Sequence, residues 1–292
     1  MGVETFIEAN NILGESPVWD YRKKELLWVD IEKCIIFILN IDKNKITKYQ
    51  MKNRVGAIVP VENSTKYLLA LQDGLAIFNR VDESLEYISN VESELLENRF
   101  NDGKCDLHGR FWVGSMNIDA KKGKGGLYCV DSTLKVTKML SNITISNGLA
   151  WSDNNKVMYY IDTATSKVLQ FDYNLEKGLI SNSKKIIEIP KELGYPDGMC
   201  IDKENMLWIA NWGGANISRW NPFTGVMLEK VKIPALNVAS LCFGGENMEI
   251  LYITSAKMGL TKEQRKKYPL SGSVFTYKPQ IGGIKTFFFK QS

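Results

Sequence analysis

Four polar positions recur at one phase of this 292-residue chain, each at the start of a short apolar strand: Glu15, Asn101 or its neighbour Asp102, Asn147, and Asp197. All offer hard oxygen atoms, the donors that calcium, magnesium and similar divalent ions take. Taken singly, Asn147-Gly148 and Asp197-Gly198 are ordinary turn dipeptides. Their recurrence matters more, because residues spaced by a structural repeat can meet at one point. No EF-hand loop is present, so any cation must be held by residues remote in sequence. Other chemistries are restricted by composition. With one histidine, His108, the chain cannot build a zinc site from two or three imidazoles, and a Ser-His-Asp triad would have to use that residue. His108 stands in a Leu-His-Gly turn and is expected at the surface. The five cysteines are scattered with no C-x-x-C pair, which argues for buried free thiols in a reducing compartment.

The elements that must position these oxygens repeat. One unit recurs: a small residue, a short apolar strand, a polar turn and a second, strongly apolar strand. It is clearest in Asn147-Gly-Leu-Ala-Trp-Ser followed by Val157-Met-Tyr-Tyr-Ile-Asp, and in Asp197-Gly-Met-Cys-Ile-Asp followed by Met206-Leu-Trp-Ile-Ala-Asn. With Ser16, Gly56, Gly103, Gly148, Gly198 and Ser240 as anchors, successive gaps are 40, 47, 45, 50 and 42 residues. Each copy continues to a third apolar segment, such as Ile36 to Leu39 or Val274 to Tyr277, and most reach a fourth, such as Ile46 to Tyr49 or Lys185 to Ile189. Four short strands repeating every ~40–50 residues is the pattern of a propeller blade. The expected fold is all-β: a six-bladed β-propeller with four-stranded blades around a central channel, residues 1–292 forming one domain. The closing blade should join a strand around Thr5 to Glu8 with strands from the C-terminal end. Leu260 to Lys267 is the expected helical exception. Because the first strand of each blade lies innermost, the residues before it converge at one mouth of the channel.

Apolar residues make up 44% of the chain and charged residues 24%, enough to bury a real core. Thirty-seven basic residues against thirty-three acidic ones give only +4, and the basic runs Lys121 to Lys124 and Lys262 to Lys267 are interrupted. They read as solvated loops, so no nucleic-acid partner is expected. Purely apolar runs such as Cys34 to Leu39 fall far short of the ~20 residues of a membrane span, and the N-terminus lacks a signal-peptide pattern. The expectation is a cytoplasmic protein without a membrane partner, a monomer or weak dimer.

At the anchor positions the sequence resembles the gluconolactonase / regucalcin (senescence marker protein 30) / luciferin-regenerating enzyme family. The resemblance is carried by Gly14-Glu-Ser-Pro-Val-Trp-Asp, Asn98-Arg-Phe-Asn-Asp-Gly-Lys, Ser146-Asn-Gly-Leu-Ala-Trp-Ser and Tyr195-Pro-Asp-Gly-Met-Cys-Ile-Asp. It implies a six-bladed propeller, in agreement with the repeat. It also implies that Glu15, Asn147 and Asp197 are protein ligands of one divalent cation (Ca, Zn, Mg, Mn or Fe(II)). Arg99, Asn101 and Asp119 would contact substrate, although Asp119 stands where relatives often carry the longer Glu. Ser16 replaces a common Gly, and the segment from Lys257 to Leu270 matches no pattern.

The activity so implied is metal-dependent hydrolysis of a small sugar lactone such as gluconolactone. In such a reaction Asp197 would be both ligand and general base toward water. Two other readings compete: a calcium-binding regulator with little catalysis, and an esterase or phosphotriesterase on the same fold. Trp212 is a candidate pocket wall.

Overall fold

Short apolar strands joined by polar turns can bury both faces only by stacking sheet against sheet, and the chain does this six times. The computed structural model describes residues 2–292 and contains six four-stranded antiparallel sheets, the blades of a propeller. The first blade consists of Gly14–Asp20, Glu25–Asp30, Ile35–Asn40 and Lys45–Gln50, in that order from the axis outward. The other inner strands are Val55–Pro60, Asn98–Cys105, Ser146–Trp151, Tyr195–Ile201 and Asn237–Gly244. Each touches the inner strand of the next blade, and the last touches Gly14–Asp20, which closes the ring. The sixth blade is closed by the N-terminal strand Glu4–Ile7, which pairs antiparallel with Val274–Tyr277. Among the described residues the one α-helix is Lys262–Lys267, where the helical turn was expected, with Thr261 and Gln264 forming a capping box.

Burial falls off from the axis outward. Inner strands such as Gly14–Asp20 are buried along their whole length, whereas the outermost Lys45–Gln50 alternates between exposed and half-buried residues. The core therefore lies in layers between blades. Between the sixth blade and the first, Trp28 stacks on Phe37 at 4.8 Å and packs with Ile253 and Phe275. Between the third and fourth, Trp112, Trp151 and Tyr173 meet pairwise at 5.9 to 6.1 Å.

One irregularity recurs in every blade. The pairing of inner with second strand slips by one residue between Glu15 and Val18, Val55 and Ala57, Phe100 and Gly103, Asn147 and Leu149, Pro196 and Met199, and Val238 and Ser240. Each slip is a β-bulge that contains or borders a repeat anchor, and a bulge re-aims the side chains beside it. Glycine is needed at some anchors because neighbouring inner strands approach backbone to backbone. A Cβ at Gly148 would lie 2.8 Å from the Asp197 carbonyl oxygen, and one at Gly56 would lie 2.3 Å from that of Phe100. Two anchors are serines, and of these Ser16 holds φ of 47° and uses its hydroxyl to accept the Ile58 N–H of the next blade at 3.2 Å.

At the other end of the channel the C-terminal segment crosses the ring. Gly283 bridges to Asp202 of the fifth blade and Phe289 to Val61 beside the second, and the Lys290 N–H donates to the Gly109 carbonyl of the third. Ile284 to Phe287 roof a cavity of about 70 Å³ beneath it. The opposite mouth is left for chemistry.

Gly148→Ala tests the backbone approach between the fourth and fifth blades. Forcing that Cβ against the Asp197 carbonyl should cost about 1–3 kcal/mol in urea unfolding, as overpacking generally does. Unchanged stability would show that the ring tolerates separation there.

Candidate metal centre and channel mouth

The bulges of the first, third, fourth and fifth blades turn their polar side chains to one mouth of the channel. Glu15, Arg99, Asn101, Asn147, Thr163 and Asp197 line a cavity of about 150 Å³ there, walled by Leu13, Met116, Ile145, Trp212 and Met258. The strands entering the site are anchored by carboxylates at the ends of two second strands. Asp30 accepts the N–H groups of Ile12 and Leu13, just before Glu15. Asp162 accepts those of Thr144 and Ile145, just before Asn147. Both carboxylates are the final residues of the repeated second-strand pattern, Glu25 to Asp30 and Val157 to Asp162.

A hydrogen-bond chain orders the amide side chains. Arg99 Nη1 donates to Asn101 Oδ1 at 2.5 Å and to the Phe100 carbonyl at 3.0 Å. Asn101 Nδ2 donates at 2.8 Å to Asn147 Oδ1 and to the Ser146 carbonyl. Asn147 Nδ2 donates to Thr163 Oγ1 at 2.7 Å, and Thr163 in turn donates to the Pro196 carbonyl, next to Asp197. With both amide nitrogens committed to protein, Asn147 keeps one lone pair of its oxygen free.

The carboxylates have fewer partners: Glu15 accepts the Ser16 N–H at 3.2 Å and Asp102 the Gly103 N–H at 2.8 Å. Glu15, Asp102 and Asp197 are all buried, yet among the described residues none forms an ion pair within 4.0 Å. Burial, followed by the charge of Asp102, lifts the Glu15 carboxyl from 4.5 to about 8. Asp197 is pushed well above the ordinary carboxylate range by burial and then by Glu15 and Asp102. Asp102 is raised by burial, opposed by Lys104 and by the Gly103 N–H. The Arg99 guanidinium is pushed down by burial, opposed mainly by Glu15. Among the described residues no group of three or more His, Cys, Asp or Glu is disposed to hold a metal, so an imidazole- or thiolate-rich centre is not built. Two unpaired buried carboxylates and an oriented amide oxygen are instead a hard, oxygen-only donor set, which a divalent ion fits.

The structure thus brings together Glu15, Asn147, Asp197, Arg99 and Asn101 from four blades. It does not bring Asp119 to the cavity. That residue is exposed on the turn after Asn117, whose side chain accepts the Asp119 N–H at 3.1 Å and holds the turn in place. His108 lies away from the mouth, beside Arg110 and Glu176. Trp212 does form a wall. Thr163 and the other walls, Leu13, Met116, Ile145 and Met258, were not foreseen. Only the Asp162-Thr163 pair at a strand end hinted at the first, and Met258 lies in the segment that fits no pattern.

The sequence model described as SMP-30/Gluconolactonase/LRE-like region matches residues 13–257. The chain belongs to this family. It is 37% identical over 275 residues to a regucalcin of Danio rerio, covering 94% of this chain and 92% of the relative. A Bacillus subtilis relative, named provisionally as sugar lactone lactonase YvrE, is 30% identical over 285 residues, with 97% of each chain covered. Among solved structures, luciferin-regenerating enzyme superposes with a TM-score of 0.92 at 34% identity over 99% of both chains. A calcium-binding protein, regucalcin from Agrobacterium tumefaciens, does so with a TM-score of 0.93 at 25% identity, covering 98% of this chain and 96% of that one. The family assignment rests on the whole propeller.

The raised Glu15 carboxyl has a consequence for stability. Between 4.5 and about 8 the folded, metal-free chain keeps a proton that the unfolded chain has released. The folded state then binds more protons, so stability contributed by this group falls as pH rises through that window. Thermal melts in chelator from pH 5 to pH 8 should show a declining midpoint, and Glu15→Gln should flatten the decline. A slope untouched by Glu15→Gln would sink the assignment.

Proposed function

We propose that this protein is a divalent-cation-dependent hydrolase that opens small sugar lactones, of the gluconolactone type, to the hydroxy acid. The observation that carries this reading is the buried guanidinium of Arg99 beside the ion-pair-free Glu15 and Asp197 in one small cavity. The family description and the name of the Bacillus relative support the substrate class.

Glu15, Asn147 Oδ1 and Asp197 would hold the cation. When bound, it supplies Lewis acidity, polarising an ester carbonyl and lowering the pKa of water. Arg99 is held in plane by its two Nη1 hydrogen bonds, leaving the rest of the guanidinium to donate to the lactone carbonyl or to sugar hydroxyls. Both donors of Asn101 are spent on Ser146 and Asn147, so it meets substrate through the remaining lone pair of Oδ1. Asp197 accepts no hydrogen bond from the described residues and is the available base. Its carboxylate takes a proton from the water that attacks the carbonyl carbon. It returns that proton to the ring oxygen as the ester bond breaks. Leu13, Met116, Ile145, Trp212 and Met258 keep the surroundings poor in water, which strengthens each polar contact. No Ser-His pair lines the cavity, so water is the nucleophile.

A second reading, a calcium-binding protein without catalysis, draws on the name of the Agrobacterium structure. Arg99 weighs against it. Its guanidinium favours ionised Glu15 and Asp197 but opposes the charge of a bound ion, so holding an ion is not a sufficient reason for it. A phosphotriesterase leaning on histidine is disfavoured by the surface position of His108.

Proton release from glucono-, xylono- and arabinono-lactone should vanish on metal stripping and return with one or more of Ca, Mg, Mn, Zn and Fe(II). Asp197→Ala should lower kcat by about 10²–10⁴-fold, the usual weight of a general base. Arg99→Met should lower kcat/KM by a factor on the order of 10² while leaving the cation bound. Equal rates without metal, or in Asp197→Ala, would overturn the proposal, and tight calcium binding with no lactone hydrolysed would favour the binding protein.

A further inference from the structure

The motif Asn101-Asp102-Gly103-Lys104 contains two charged residues that the reaction does not use. Lys104 belongs to the inner strand of the third blade, yet its Nζ donates to the Met199 carbonyl of the fifth blade at 2.6 Å. The side chain therefore skips the fourth blade and spans the channel, two residues beyond Asp197 along the strand it reaches. Below it lies the small cavity roofed by the C-terminal segment, where Cys105, Cys200, Cys242 and Lys104 share the lining. Above it stand Asp102, Glu15 and Asp197. Among the described residues the ammonium has no carboxylate within 4.0 Å, and a neutral carbonyl is its direct partner.

We propose that Lys104 is the built-in counter-cation of the channel and, opposed by Asp102, sets how tightly the site above it holds a divalent ion. The inference rests on the cation reading of Glu15, Asn147 and Asp197. With an ion bound and the acids ionised, three formal negative charges, on Glu15, Asp102 and Asp197, stand against two positive ones, on Arg99 and Lys104. Arg99 serves the mouth, so Lys104 is the charge left at the far end of the channel. It opposes the ion from below. The same charge reaches Asp102 from one side and the Cys200 and Cys242 thiols from the other, opposing the effect of burial on all three. Both residues act through the ion rather than on substrate and are positioning residues. A unit charge within about 10 Å of a divalent ion, at an effective dielectric of about 20, changes affinity by tenfold or more.

The test is calorimetric titration of calcium into the chelator-stripped full chain, with thermal melts in chelator and in calcium, for the wild type, Lys104→Met, Asp102→Asn and the double variant. Lys104→Met should bind calcium about tenfold more tightly and gain more in melting temperature from calcium than the wild type does. Asp102→Asn should bind about tenfold more weakly, and the double variant should return close to the wild-type affinity. A purely structural role predicts the opposite pattern: melting falls equally with and without calcium, and affinity stays constant or weakens in Lys104→Met. That result overturns the inference. Should Lys104→Met fail to fold, Asp102→Asn decides, because unchanged or tighter binding there overturns it as well. Wild-type protein that binds none of Ca, Mg, Mn or Zn overturns the cation reading itself. Wild-type binding with unresponsive variants removes this inference alone.

Discussion

Six inner strands share one narrow axis, and they can do so only where backbone approaches backbone. That constraint is visible at Gly56 and Gly148, where any side chain would strike a carbonyl of the next blade. It is also visible in the one-residue bulge that every blade carries at the same height. A regular inner strand would send alternate residues to the two faces of its blade, into the aromatic layers between sheets. The bulge breaks that alternation at one point and frees the neighbouring side chain to face the channel. The site is therefore a by-product of how the ring closes, with Glu15, Asn101, Asn147 and Asp197 all at or beside such a break.

Closure also makes the site costly. Carboxylates at the axis are removed from water and set close enough for each to raise the proton affinity of the next. The layers between blades, such as Trp112, Trp151 and Tyr173, bury apolar surface enough to carry that cost. A fold whose stability lies in interblade layers and whose charges lie on its axis can vary the site without rebuilding the core. Relatives with names as different as regucalcin and luciferin-regenerating enzyme share it over nearly the whole chain.

What could be read in the sequence followed from the repeat. A periodic signal reports local chemistry, so the strand order, the anchors and the N-terminal strand of the closing blade were legible; that strand ends at Ile7 rather than Glu8. The alternative between Asn101 and Asp102 was not decidable from spacing. The structure gives each its own place, Asn101 in the amide chain and Asp102 among the carboxylates. Thr163 left little more than a hint at a strand end, because its importance comes from the Pro196 carbonyl of another blade. Lys104 was invisible for the same reason, its partner lying 95 residues away. Asp119 lies outside the cavity lining, because the turn after Asn117 leaves it in solvent, and spacing alone could not show this. The C-terminal cover over the far mouth had no signal, since one crossing segment has nothing to repeat.

The contrast between Arg99 and Lys104 shows why convergence of acids does not by itself define an activity. Both are cations among carboxylates near one axis, and either would weaken the hold on a divalent ion. Lys104 is tied to a backbone carbonyl at the end crossed by the C-terminal segment, away from the cavity that Arg99 lines. Arg99 is tied through Nη1 at the open end, with the remainder of its guanidinium directed to the cavity. A group that opposes ion binding is retained at the open mouth only if something else there needs its positive charge, and an oxygen of the substrate that develops negative charge is such a partner. On the proposed function, Glu15, Asn147 and Asp197 would account for holding an ion, and the placement of Arg99 for acting on an ester beside it.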